Sequence, residues 1–278
     1  MKSLKRLLRN FAFTAGLILT VALIVMALAA PLIAPTDPYT QDTGRRLEAP
    51  SKDHLLGLDD LGRDVFSRIV WGARVSLRVG FSVVIIASLI GVTLGAISGY
   101  FGGIMDVLVM RLCDILLAFP GILLAIALVA VLGPSLNNVI LALATIGWVG
   151  YARLVRGQVL KVREMEYVTA ARALGARSPR VILRHVLPNV INPVIVMATL
   201  GLAGAILAEA ALSFLGLGVQ PPTPSWGAML TAGRRYLGLA NHLAIFPGAA
   251  IMLAVMGLNF LGDGLIDALD PKYRKLMR

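Results

Sequence analysis

The residues able to do chemistry in this chain are few, and their types exclude most catalysis. His54, His185 and His242 are the only histidines and stand far apart, without metal-ligand spacing. Cys113 is the only cysteine, so no internal disulfide can form. Neither a GxxxxGK(S/T) phosphate cradle nor a GxSxG nucleophile elbow is present. The chain is therefore not expected to be an enzyme by itself, and no metal or cofactor site is expected on it. What remains is charge in apolar company. The segment Glu166–Pro188, EYVTAARALGARSPRVILRHVLP, is basic and helix-favouring and lies between two very apolar stretches. Such a loop suits a partner that grips it from outside a bilayer. Glu209, Arg111 and Asp114 sit inside or at the start of apolar runs, where ionisable groups are costly and are functional candidates by default. Glu209 reads as a functional contact for a cationic group, or as a packing carboxylate satisfied by a neighbouring hydroxyl or Arg. Arg111 and Asp114, three apart on one helical face, read as a structural ion pair.

The elements that must hold these residues follow from composition. Of 278 residues, 58% are apolar and 15% charged, where soluble domains carry about 25% charged residues. Mean hydropathy is +0.81. The expected fold class is an all-α integral membrane protein with six transmembrane helices. The net charge of +11 does not argue for nucleic acid, because the basic residues cluster at the ends of apolar spans.

Phe11 to Ala34 is uncharged and long enough to span, since about 20 apolar residues cross the hydrocarbon core. Ala27-Leu28-Ala29 resembles a signal cleavage site, but a signal h-region runs only about 7–15 residues, so a retained first helix is expected. Thr36 to Ser67 is polar and turn-rich, and Phe66 to Arg78 reads as an amphipathic interfacial helix. The second span is Leu77 to Phe101, in which Gly91, Gly95 and Gly99 recur every four residues and form a smooth stripe for close helix packing. Val107 to Leu132 reads as the third span, Val139 to Ala152, extended towards Val155, as the fourth, Pro188 to Leu212 as the fifth and Leu243 to Leu261 as the sixth.

Within the charged loop, Glu166 to Leu174 holds good helix formers. Gly175 can end that helix in a left-handed conformation. Pro179 fits the first turn of a second helical piece. Six spans put both termini on one side. With that side cytoplasmic, 17 of the 26 basic residues fall there, including Lys2, Lys5, Arg6 and Arg9, which favours N-in, C-in topology. Asp59, Asp60, Arg63 and Asp64 then lie outside, as a network or as helix caps. Trp226 lies outside too, as an interface anchor or a packed ring.

Ala170-Ala171, three further residues, Gly175 and then Leu187-Pro188 resemble the EAA loop of importer permeases of the ATP-binding cassette class. Thr169 stands where that family has its first Glu, His185 where Ile is usual, and the nearest acid is Glu166, one turn earlier. HLLGLDDLGRDVFSRIVWGARVSL (His54–Leu77), SFLGLGVQPPTPSWGAML (Ser213–Leu230) and LGDGLIDALDPKY (Leu261–Tyr273) look like the second permease subunit of dipeptide/oligopeptide importers. The resemblance implies a type I importer transmembrane domain. Three stretches follow: 1–73 with the tail, first helix and outer loop; 74–263 with the coupling loop at about 156–187; and a cytoplasmic tail, 264–278. It also implies a second homologous permease subunit, two cytoplasmic ATP-binding subunits carrying ATP and Mg, and an extracytoplasmic substrate-binding protein, in a bacterial or archaeal inner membrane. Glu166, Thr169, Ala170, Ala171, Arg172, Gly175, Leu187 and Pro188 become the coupling candidates, and Glu209 a contact for a peptide's amino terminus. Nickel or glutathione import by the same architecture is the alternative. An ion-gradient-driven secondary transporter is the alternative from another class, expected to carry more membrane acids.

Overall fold

The computed structural model describes residues 10–269. The basic residues Lys2, Lys5, Arg6 and Arg9 and the tail beyond Leu269 lie outside them. Among the described residues the chain is helical, with a single isolated bridge pairing Leu58 and Asp64. Five helices are long and apolar enough to cross a membrane, or six when one bent pair counts as a span.

Helix α1, Phe11–Leu28, starts at Asn10, whose side chain accepts from the Ala12 and Phe13 amides. One further turn, Ala30–Ile33, follows. The loop that follows ends at Asp64, which N-caps α2, Val65–Phe101, by accepting from the Ser67 amide at 2.7 Å. The expected interfacial helix and second span are therefore one helix of 37 residues. It runs unbroken across the boundary expected at residues 73/74. Gly72 stands beside that boundary without breaking the helix, and the Trp226 ring packs against its bare backbone.

The third span differs from expectation. It is two helices, α3 Gly103–Leu117 and α4 Gly121–Leu132, bent by 85°. Pro120 lacks the amide that would continue α3, and its ring disfavours helical geometry at Phe119. Helix α5, Leu136–Val162, opens on the Ser135 cap and packs along α2. The glycine stripe makes this contact. A Cβ on Gly91 would fall 2.5 Å from the Trp148 carbonyl oxygen, and one on Gly95 2.5 Å from the Ala152 carbonyl oxygen. Only a bare backbone lets these helices approach so closely.

After the short helix α6, Glu166–Ala173, comes α7, Ser178–Phe214. It runs through Pro188 and Pro193, where a start and an interruption were expected. A wider turn at Ile182–Val186, with the Leu187 amide bonding the Ile182 carbonyl, absorbs Pro188. Helix α8, Trp226–Arg234, forms inside the loop after α7, and α9, His242–Leu269, packs against α1.

Candidate functional site

The Glu166–Pro188 loop is assembled on the end of α5. Helix α6 ends in a two-bond cap: the Gly175 amide donates to the Arg172 carbonyl at 2.9 Å and the Ala176 amide to the Ala171 carbonyl at 3.0 Å. This is the 5→2 and 6→1 pattern that satisfies orphan carbonyls when the residue after the cap is left-handed, and Gly175 has φ of +83°. Pro179 lies in the first turn of α7, as its missing amide allows. The expected helix, glycine turn and second helix are all present.

Three valines hold this loop on the membrane domain. Val168, Val181 and Val186 are fully buried in one cluster with Val155, Val159 and Val162 of α5. Each such burial contributes roughly 1.5–3 kcal/mol. Arg163 donates from Nη1 to the Gly99 carbonyl at 2.9 Å, tying the start of the loop to the end of α2. The Arg172 guanidinium lies 5.0 Å over the Tyr100 ring, so part of its charge is spent inside the chain.

The opposite side of the loop is bare. Glu166, Thr169 and Ala170 are exposed and Ala171 is half-buried. The sequence reading missed what stands beside them. Leu174 is 89% exposed and Leu183 64%, with Met165 and Tyr167 also open. Leu174 is six residues from the buried Val168, about 240° around the helix. That offset was the available signal: an apolar residue off the anchored face, at the tip, just before the glycine. Leu187 does not join this surface. It packs against the valine cluster inside α7, while Pro188 is exposed.

Glu209 is 0% exposed, accepts a 2.6 Å hydrogen bond from the Ser213 hydroxyl and leaves Oε2 without a hydrogen-bond donor. In this conformation it is enclosed, and the Ser213 hydroxyl is the kind of neighbour that the packing reading expects. The expected Arg111–Asp114 pair is absent as well. Asp114 pairs with Arg153 of α5 instead, because a residue 39 positions away in sequence is carried alongside by the α3–α5 contact. One helical turn further, Arg156 forks onto both oxygens of Asp106, which also accepts from the Ser98 hydroxyl.

At the other end of the spans, both readings of the acidic loop coexist. Asp59 pairs with Arg63 at 2.7 Å, while Asp64 caps α2 and bonds His54 at 3.0 Å. Trp226 is buried, with its Nε1 donating to the Ile69 carbonyl at 2.9 Å, so it is a packed ring. Among the described residues no group of His, Cys, Asp and Glu is arranged to hold a metal ion.

A bundle of spans with a glycine-hinged, apolar-tipped loop docked on one end defines a multi-pass membrane protein. The chain belongs to the family of binding-protein-dependent transport system inner membrane components, whose model matches residues 91–275. Residues 2–50 match the N-terminal TM domain of oligopeptide transport permease C. The chain is 49% identical over 273 residues to a dipeptide transport system permease protein DppC of Alkalihalophilus pseudofirmus, covering 98% of this chain and 90% of that one. It is 45% identical over 271 residues to a glutathione transport system permease protein GsiD of Pectobacterium atrosepticum, covering 97% and 90%. Among solved structures, a chain of the MetNI methionine ABC transporter in inward-facing conformations matches with a TM-score of 0.58 at 19% identity, covering 73% of this chain and 96% of that one. That likeness supports the all-helical importer fold. Permeases of this class work with a partner permease, an ATPase and a binding protein.

Proposed function

We propose that this chain forms half of the translocation pathway of an ATP-driven importer for di- or oligopeptides, and that the Glu166–Pro188 loop takes the push from one of two ATP-hydrolysing subunits. ATP and Mg sit on those subunits, and an extracytoplasmic binding protein delivers the substrate. The loop, the N-terminus and the C-terminus face the cytoplasm. The observation that carries this reading is the loop's two-sidedness: three valines lock one side onto the membrane domain while Leu174 projects from the other. A lever needs a fixed root and a graspable tip.

The route of the push follows from α7. It begins within the loop at Ser178, just beyond the Gly175 turn, and runs as one helix of 37 residues to Phe214, so displacement of the loop's second helical piece is carried along the span. The dipeptide permease relative and the length of the match favour peptides as cargo. The glutathione permease relatives keep that tripeptide in view as a second reading. The test is uptake of labelled dipeptides and of glutathione by the reconstituted importer. Peptide uptake that needs ATP and this chain supports the proposal. Uptake that persists without any ATPase subunit contradicts it.

A further inference from the structure

Between the start of α2, α8 and the 221–223 turn the structure holds a cavity of about 90 Å³, several times the roughly 10–15 Å³ that one water needs. It lies at the start of α2, whereas the Glu166–Pro188 loop is tied to the end of that helix. Small side chains make the room: Ala228 and Ala232, one turn apart on α8, face it with a methyl each. Charged groups of both signs complete the wall, Asp59, Asp60, Arg63 and Arg68.

Arg68 is the group that this wall leaves unsatisfied. It is 5% exposed, and its Nη1 donates to the Pro38 carbonyl at 3.0 Å and the Pro222 carbonyl at 3.5 Å. Its Nε is buried without a hydrogen-bond partner, and its Nη2 makes no hydrogen bond with a described residue. The free Nε–Nη2 edge presents two parallel N–H bonds, the fork that fits a carboxylate. Asp59 does not fill it. The Asp59 Oδ2 stands 3.5 Å from Nε, outside hydrogen-bond geometry, and already accepts from the Arg63 Nε at 2.7 Å. Its Oδ1 takes the Leu61 and Arg63 amides. A buried charged donor left open is costly, so the edge suits an anionic group that arrives from outside the chain. Asp60 offers the opposite sign. Its ion-pair partner among the described residues is Arg63, at 3.7 Å and already bonded to Asp59, and its side chain is 27% exposed.

We propose that this cavity is a subsite for a short zwitterionic peptide, whose C-terminal carboxylate takes the free edge of Arg68 while Asp60 faces its ammonium group. It rests on peptide import as proposed above and adds a cargo contact on this chain, at the end of the spans away from the ATPase. A protein partner's single acidic side chain would use Arg68 alone. An open guanidinium edge and a half-open carboxylate on one small cavity suit a ligand that carries both charges.

The test titrates dialanine against the purified importer, permeases and ATPases together in lipid nanodiscs without the binding protein, and reads binding by saturation-transfer NMR. Dialanine should bind, and dialanine amide, which lacks the carboxylate, should bind about tenfold more weakly, the scale of a lost charge-assisted hydrogen bond. N-acetyl-dialanine, which lacks the ammonium group, should also bind more weakly. Arg68→Gln should weaken dialanine about tenfold. Because Arg68 is buried and its loss could disturb folding, Ala232→Leu is the second variant: it keeps every charge, fills the cavity and should abolish binding. Equal binding of dialanine and its amide, or unchanged dialanine binding by Ala232→Leu, overturns the proposal. So does a lack of binding to the unmodified importer, which leaves the cavity to water. A binding protein that docks on the unmodified importer but not on Arg68→Gln, with no dialanine bound to either, assigns the carboxylate to that protein and overturns it too. ATP-driven dipeptide uptake by the unmodified importer, with its binding protein restored, is measured alongside. Uptake without such binding overturns this site alone, whereas absence of uptake counts against the import reading.

Discussion

Leu174 is the side chain whose exposure most needs a partner. A leucine left 89% open at a helix tip stabilises nothing in the isolated chain. Seated in an apolar socket, it would act as an anchor of the kind that dominates interfaces. Leu174→Ala is expected to weaken retention of the ATPase about tenfold or more, with normal accumulation of the permease itself; quantitative co-purification checks this. Glu209 makes the opposite prediction. Glu209→Ala leaves the Ser213 hydroxyl without its buried acceptor, at a cost of about 1–3 kcal/mol. Its thermal unfolding in detergent should move down while the preference among cationic, neutral and anionic peptides stays fixed. A changed charge preference would return Glu209 to the pathway. At this scale the sequence showed which residues were charged in apolar surroundings. It did not show their partners, because an i,i+3 pair is visible locally and the Asp114–Arg153 pair exists only once α3 and α5 are packed.

Elements were more legible where a local rule has no competitor. The glycine stripe at Gly91, Gly95 and Gly99 meets α5 because its bare backbone lets the α5 backbone come within 2.5–3.0 Å of where Cβ atoms would stand. A valine at Gly95 would drive its Cβ into the Ala152 carbonyl, and overpacking of this kind costs about 1–3 kcal/mol or more. Gly95→Val is expected to reduce accumulation of folded chain, measured by size-exclusion of the detergent-extracted protein. The Gly175 turn was read correctly from one residue type. Gly175→Val forces a β-branched residue to a φ of +83°, which costs on the order of 1–2 kcal/mol. The expected result is a chain that still folds, since no atom outside its neighbours lies within 4 Å of the added Cβ, but that transports more slowly per ATP hydrolysed. Prolines were harder to read. Pro120 breaks its span while Pro188 and Pro193 do not, because neighbouring turns can widen or packing can hold a helix across a missing amide, and neither is written locally.

Over the whole molecule, apolar runs revealed a helical multi-span protein, with five spans or six when the bent pair counts as one, and the charged loop between two of them. They did not reveal that α2 absorbs the supposed interfacial helix, or that α7 begins inside the loop. On the proposed reading those continuities suit a mechanical part: a rooted loop, a long helix leaving it, and a bent span broken at Pro120. The most direct measurement of this account is site-specific cross-linking from the loop tip. With Cys113→Ser removing the native thiol, Leu174→Cys carrying a short photoreactive group should form a covalent product with an ATPase subunit in intact membranes, and its yield should change between nucleotide-free and ATP-bound complexes. A Leu174→Cys that never reaches an ATPase, or that is labelled by an impermeant reagent from outside the cell, would contradict it.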